Sequence, residues 1–117
     1  MLSREYRLTR RNQFTYVYKK GESSPAKNLI LIYVKSRNNG LKVGFSVSKK
    51  IGNSVIRNKI KRRLREAFRL RIKNVQKGYS YIVIARTGII NDSYKDIAKS
   101  LEYVLKKSGK YLDNNEK

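Results

Sequence analysis

Between Ser48 and Lys73 the chain carries eleven Lys and Arg residues against one acid, Glu66. Lys49 and Lys50 precede a Gly52-Asn53 turn, and Arg57, Lys59, Lys61, Arg62, Arg63, Arg65 and Arg69 follow it. Fixed charge at this density repels itself. Like charges four apart on a helix, as at Arg57, Lys61, Arg65 and Arg69, each cost roughly a few tenths of a kcal/mol. Phosphates reverse that sign, so the pattern points to a polyanionic partner. Neutralising six to ten phosphates would make affinity fall about 10³–10⁵-fold between about 50 and 200 mM salt. The whole chain repeats the bias: 29 basic residues and 8 acids give a formal charge of +21 over 117 residues. Fields of this size govern partner choice and association rate.

Bond-making chemistry is poorly provided for. The chain has no histidine and no cysteine, so it lacks the side chain that titrates near neutrality and the thiolate nucleophile. The acids (Glu5, Glu22, Glu66, Asp92, Asp96, Glu102, Asp113 and Glu116) are scattered, without the spacing of a two-carboxylate or two-metal site. We therefore assign no catalytic and no metal-ligating residue. Asp92 and Asp96 read as helix caps. No Gly-x-x-x-x-Gly-Lys loop occurs. Gly52 could either hold one phosphate on free backbone N–H groups or simply make a tight turn. The aromatics are a second resource, with nine tyrosines and three phenylalanines. Phe14 and Tyr18 share a helical face and Tyr33 falls on a strand. Lining a groove, they could stack unpaired bases at about 1–3 kcal/mol each; ordinary core is the alternative use.

Several elements must position these groups. Thr9 is a candidate N-cap for a helix from Arg10 to Lys20, closed by Gly21. Met1–Leu8 reads as extended and Glu22–Lys27 as a loop. Strands are expected at Leu29–Val34, Leu41–Ser48 and Tyr79–Arg86, the first two joined as a hairpin through Asn38-Asn39-Gly40. On the second of these, Val43, Phe45 and Val47 alternate with Lys42, Gly44, Ser46 and Ser48. The basic helix spans about Ser54 to Lys73. Ile56, Ile60, Leu64, Ala67 and Phe68 cluster on one side, and Asn58, Lys61, Arg62, Arg65 and Arg69 on the other. Arg57 and Arg63 lie near the apolar arc. Ser93 with Asp96 is a capping box opening a last helix to about Lys107, ended by Gly109. The expected fold is a single α/β sandwich of the α+β class, with helices packed on a small mixed sheet in the order α-β-β-β-α-β-α. We expect one domain over 1–117 with a frayed tail from about 111 to 117. The apolar runs are shorter than the roughly 20 residues a spanning helix needs. No signal-peptide pattern opens the chain and cysteine is absent, so a cytoplasmic protein without membrane contact is expected.

The segment Ser46-Val47-Ser48-Lys49-Lys50-Ile51-Gly52-Asn53, followed by Arg57-Asn58-Lys59-Ile60-Lys61-Arg62 and Arg65-Glu66-Ala67-Phe68, resembles the bacterial ribonuclease P protein component. Phe14 to Gly21 resembles that family's first helix and Tyr81 to Arg86 its last strand, so the likeness covers roughly Tyr6 to Ser108. One departure is Lys59, where the family pattern often has arginine; lysine keeps the charge and loses the bidentate fork. The resemblance implies a subunit that joins a catalytic RNA, which removes the 5′ leader of precursor tRNA with Mg²⁺ held mainly by the RNA. No protein partner is required. It places Arg57, Asn58, Lys59, Lys61, Arg62 and Arg65 against RNA. It places Phe14, Tyr18, Tyr33, Ser46 and Ser48 in a leader cleft, with Lys49 and Lys50 at its mouth. It also implies a left-handed β-α-β crossover, which periodicity does not indicate. A ribosomal or other structural RNA-binding protein would also explain charge and size, without needing the aromatic cleft. A DNA-binding helix-turn-helix module fits less well, because the basic helix follows a strand.

Overall fold

The computed structural model describes residues 2–37 and 39–112. Its regular elements are α1 (Arg11–Lys20), β1 (Glu22–Pro25), β2 (Leu29–Lys35), β3 (Lys42–Ser46), α2 (Ser54–Arg71), β4 (Tyr79–Ala85) and α3 (Tyr94–Lys107). Short 3-10 turns occupy Arg4–Tyr6, Lys49–Ile51, Ile72–Asn74 and Thr87–Ile89. The four strands make one mixed sheet in the order β1-β2-β4-β3. Strand β2 is antiparallel to β1 and β4, and β3 is parallel to β4. The α+β architecture and the α-β-β-β-α-β-α order are as expected, although β1 falls where a loop was expected. The parallel β3–β4 pair makes α2 the crossover of a β-α-β unit.

The expected hairpin between β2 and β3 does not form. Strand β4 lies between them, paired with both. The reason lies in what each strand can bury. Tyr79–Ala85 is apolar on both faces over Tyr81-Ile82-Val83-Ile84, which suits a central strand covered on both sides. Strand β3 presents Lys42, Gly44 and Ser46 on one face, which suits an edge. A hairpin would have left Ile82 and Ile84 on the edge instead. The Asn39-Gly40 signal is thus spent on a wider connection; Asn38 itself lies outside the described residues.

Other local expectations are corrected in the same way. Glu22–Pro25, expected as loop, is the outer edge strand. Its Pro25 needs no ladder donor there, and the buried Ser24 hydroxyl donates to the Val104 carbonyl at 3.0 Å. Thr9 is not the cap of α1. The N-cap is Arg10, and the Gln13 side-chain oxygen accepts from the backbone N–H groups of Thr9 (3.2 Å) and Arg10 (3.1 Å). The N-terminal segment contains a 3-10 turn before Arg7 bridges Val43. Tyr111 and Leu112, expected to fray, pair with the segment after α2: Tyr111 bridges Val75, and the Asn74 amide donates to the Leu112 carbonyl at 2.7 Å. The remainder of that expected tail, 113–117, lies outside the described residues.

The sheet separates two cores, because alternate residues of each strand face opposite ways. On one face Leu29, Leu31, Tyr81 and Val83 pack with Leu64, Phe68, Leu101 and Leu105 from α2 and α3. On the other, Ile82 packs with Val17 of α1 and with Leu8, Phe14, Ile32, Val34 and Ile84. The larger core holds α2 rigidly. The smaller one leaves α1 as a ridge across a half-buried sheet face.

The start of α2 is fixed by Asn53, whose side-chain oxygen accepts from Ile56 N–H at 3.0 Å. Asn53→Ala is expected to cost about 1 kcal/mol. Thermal unfolding will read this as a fall of about 4–8 °C, and Asn53→Ser will restore most of it. An unchanged transition in Asn53→Ala would show that the cap does not hold the helix.

Candidate nucleic-acid interface

Helix α2 sorts its cations by what they touch. Ile60, Leu64, Ala67 and Phe68 are buried. Arg57 and Arg63, on the margins of that stripe, are engaged with backbone: Arg57 Nε donates to Gly52 O at 3.2 Å and Arg63 Nη1 to Asp92 O at 3.0 Å. These two bonds tie the turn before α2 and the loop before α3 to the helix. Arg69 holds Glu66 through two bonds of 2.9 and 2.6 Å, and that contact lowers the Glu66 carboxyl below its usual range. Arg69 is therefore compensated within the chain. Among the described residues, Lys49, Lys50, Lys59, Lys61, Arg62 and Arg65 have no carboxylate partner. Asn58 and Lys59 are exposed. Arg62 and Arg65 line a hollow of about 400 Å³ against Tyr94.

The turn feeding this surface is compact. Gly52 has φ +157°, and a Cβ there would lie 3.1 Å from Ile56 Cδ1, so the close approach of turn and helix favours glycine. Lys49 and Lys50, both exposed, occupy the 3-10 turn that joins β3 to Gly52. The polycation thus continues from the end of β3 onto α2.

The second component is the flank of α1 that faces β3. Phe14 lies directly on Gly44; a Cβ at that glycine would overlap the Phe14 ring. Ser46 follows on the same face of β3, paired with Ile84. Tyr18 stands one helical turn beyond Phe14 and is 44% exposed. Ser48, exposed, leads from the strand end to Lys49 and Lys50. Phe14 and Ser46 therefore lie on one side of the sheet, with Tyr18 one turn along α1, and Ser48 and the paired lysines continue the chain from that strand toward α2.

Tyr33 does not join them. It projects from the opposite face of the sheet, where its ring meets Tyr79 edge-on at 6.4 Å. Lys110 Nζ lies 5.2 Å from the centre of the Tyr33 ring and 4.3 Å from that of Tyr79. Burial first, then the Glu22 carboxylate, raises the Tyr33 phenol above its ordinary value. Ile32 is the β2 residue on the α1 side. The signal was present in the sequence: Tyr33 shares the parity of Leu29 and Leu31, the buried set. Sequence reasoning also missed Gly44, whose lack of a side chain admits Phe14, and Ile84, which floors the same edge.

No helix is long and apolar enough to cross a membrane among the described residues. These residues also contain no group of three or more His, Cys, Asp or Glu placed to hold a metal ion.

A mixed-sheet α+β protein with uncompensated cations along one helix, beside an aromatic edge, belongs by class with proteins that hold nucleic acid. Comparison with known proteins narrows the class. The Ribonuclease P family model matches residues 2–109. The ribonuclease P protein component of Clostridium botulinum strain Eklund 17B is 43% identical over 115 residues, covering 92% of each chain. The solved Staphylococcus aureus RNase P protein superimposes with a TM-score of 0.84 at 36% identity, over 91% of this chain and 97% of that one. The RNase P protein from Thermotoga maritima gives 0.80 at 28%, over 86% and 96%. The chain belongs to the ribonuclease P protein family, whose members act as the protein subunit of an endoribonuclease in tRNA 5′ maturation.

Proposed function

We propose that this subunit works as a clamp for two RNAs. Lys59, Lys61, Arg62 and Arg65 of α2, with Asn58 and the outer guanidinium nitrogens of Arg57, take the catalytic RNA. Phe14, Tyr18, Ser46 and Ser48 take the single-stranded 5′ leader of precursor tRNA, and Lys49 and Lys50 bridge the two surfaces. Arg69 acts mainly on its neighbour Glu66. The observation that carries this reading is the continuity of uncompensated cations with the Phe14-on-Gly44 edge. Base stacking on aromatics and counterion release by fixed cations are the forces each part can exert.

On this reading the Mg²⁺ the reaction needs is held mainly by the RNA, as the family resemblance implies. The protein contributes binding. Only the precursor has a leader to fill the cleft, so the clamp favours precursor over mature tRNA. It also supplies fixed charge that offsets phosphate repulsion. Protein and RNA would meet in the cytoplasm, with no further protein partner required.

The test is cleavage of precursor tRNA at low Mg²⁺ by the catalytic RNA alone and with this protein added. The expected result is cleavage by RNA plus protein at Mg²⁺ concentrations where the RNA alone is inactive. Protein that cleaves without RNA, or that leaves both the Mg²⁺ requirement and substrate affinity of the RNA unchanged, would overturn the proposal.

A further inference from the structure

Helix α1 has two flanks, and the leader edge uses one. On the other flank, across the helix from Phe14 and Tyr18, lies a groove of about 430 Å³ between α1 and the β2–β3 end of the sheet. Leu8 and Val17 form its apolar floor, and Tyr16, 43% exposed, stands at its wall. Arg37 and Lys42, both exposed, also line it. No carboxylate lines the groove, and neither cation has an acidic partner among the described residues. Gln13 also borders it. Its oxygen is committed to the start of α1, which leaves the side-chain NH₂ as a donor. The elements of a nucleotide site are thus together: one aromatic face, an apolar floor, an amide donor and two uncompensated cations. A duplex offers no free base face to a single ring, whereas an unpaired nucleotide does.

We infer that this groove is a second RNA subsite, taking one unpaired nucleotide with its base stacked on Tyr16 and its flanking phosphates on Arg37 and Lys42. The inference rests on the RNA-clamp reading above, and the nucleotide comes either from the catalytic RNA or from the precursor.

The full-length protein is tested as wild type, Tyr16→Ala, Tyr16→Phe, and the double variant Arg37→Gln/Lys42→Gln, with unfolding transitions measured alongside. One arm measures affinity for the catalytic RNA alone. The other measures affinity of the assembled holoenzyme for precursor tRNA. Tyr16→Ala is expected to weaken one arm by about 5- to 100-fold, and Tyr16→Phe to leave it within about twofold. The double variant is expected to reduce the slope of log Kd against log salt in that same arm by about 1.4. The arm that responds identifies the source of the nucleotide. Equal affinities for all variants in both arms, while Tyr18→Ala still weakens precursor binding, would overturn the subsite and leave the clamp intact. Wild-type protein that binds neither RNA would instead overturn the clamp.

Discussion

Replacing Lys59, Lys61, Arg62 and Arg65 together by Gln will lower affinity for the catalytic RNA by about 10³-fold at about 0.1 M salt. Each phosphate contact contributes about 0.7–0.9 to the slope of log Kd against log salt. At that ionic strength each loss removes just under one decade, and four remove about three. The slope itself will fall by about 3. Glutamine keeps the helix propensity of the originals, and removing like charges at i,i+4 relieves helix repulsion, so the variant will be no less stable than wild type. The control is Glu66→Gln/Arg69→Gln, which deletes a pair already neutral within the chain and is expected to change affinity by less than about threefold. Salt-dependent titration of both variants decides the matter. Equal slopes in wild type and the fourfold variant would show that α2 does not face phosphates.

The second large effect separates the two faces of the sheet. Tyr18→Ala will reduce the preference for precursor over mature tRNA by about 5- to 100-fold, the worth of one stacked base. Its unfolding transition will move little, because Tyr18 is nearly half exposed and belongs to neither buried cluster. Tyr33→Ala will do the reverse. It removes an edge-on aromatic pair and the ring beneath Lys110, costing about 1 kcal/mol or more of stability, while precursor preference stays within about twofold. Gly44→Val supplies a further check: its side chain must displace Phe14, so it will lose precursor preference although it touches no RNA itself. Paired binding measurements with precursor and mature tRNA read all three. Loss of preference in Tyr33→Ala with none in Tyr18→Ala would place the leader on the other face.

How much was legible before the fold was known depends on whether the signal was local. The box at Ser93 and Asp96 and the apolar stripe Ile60-Leu64-Phe68 each depend on residues within one or two helical turns, and both stand as read. The Asn53 cap is equally local, but the sequence reading took Gly52-Asn53 only as a turn. The ambiguity of Gly52 between anion seat and turn was also local. The contact with Ile56 accounts for the glycine without any ligand. The hairpin failed for a different reason. Asn38-Asn39-Gly40 is a sound turn signal, but it cannot report that a strand forty residues later is the more apolar competitor for β2. The misplacement of Tyr33 was avoidable, since strand parity alone sets it with Leu29 and Leu31.

From its order of residues alone this chain was bound to be a basic α+β protein suited to a polyanionic partner. Charge density, helix periodicity and capping act over a few residues and survive any arrangement of the elements. Only the tertiary structure decided that β4 would be central, that Gly44 would seat Phe14, and that Arg63 would be held by the Asp92 carbonyl. Those outcomes depend on which distant surfaces compete for burial and which distant carbonyl ends up 3.0 Å from a guanidinium, whereas the Arg69–Glu66 pair at i,i+3 is local to its helix.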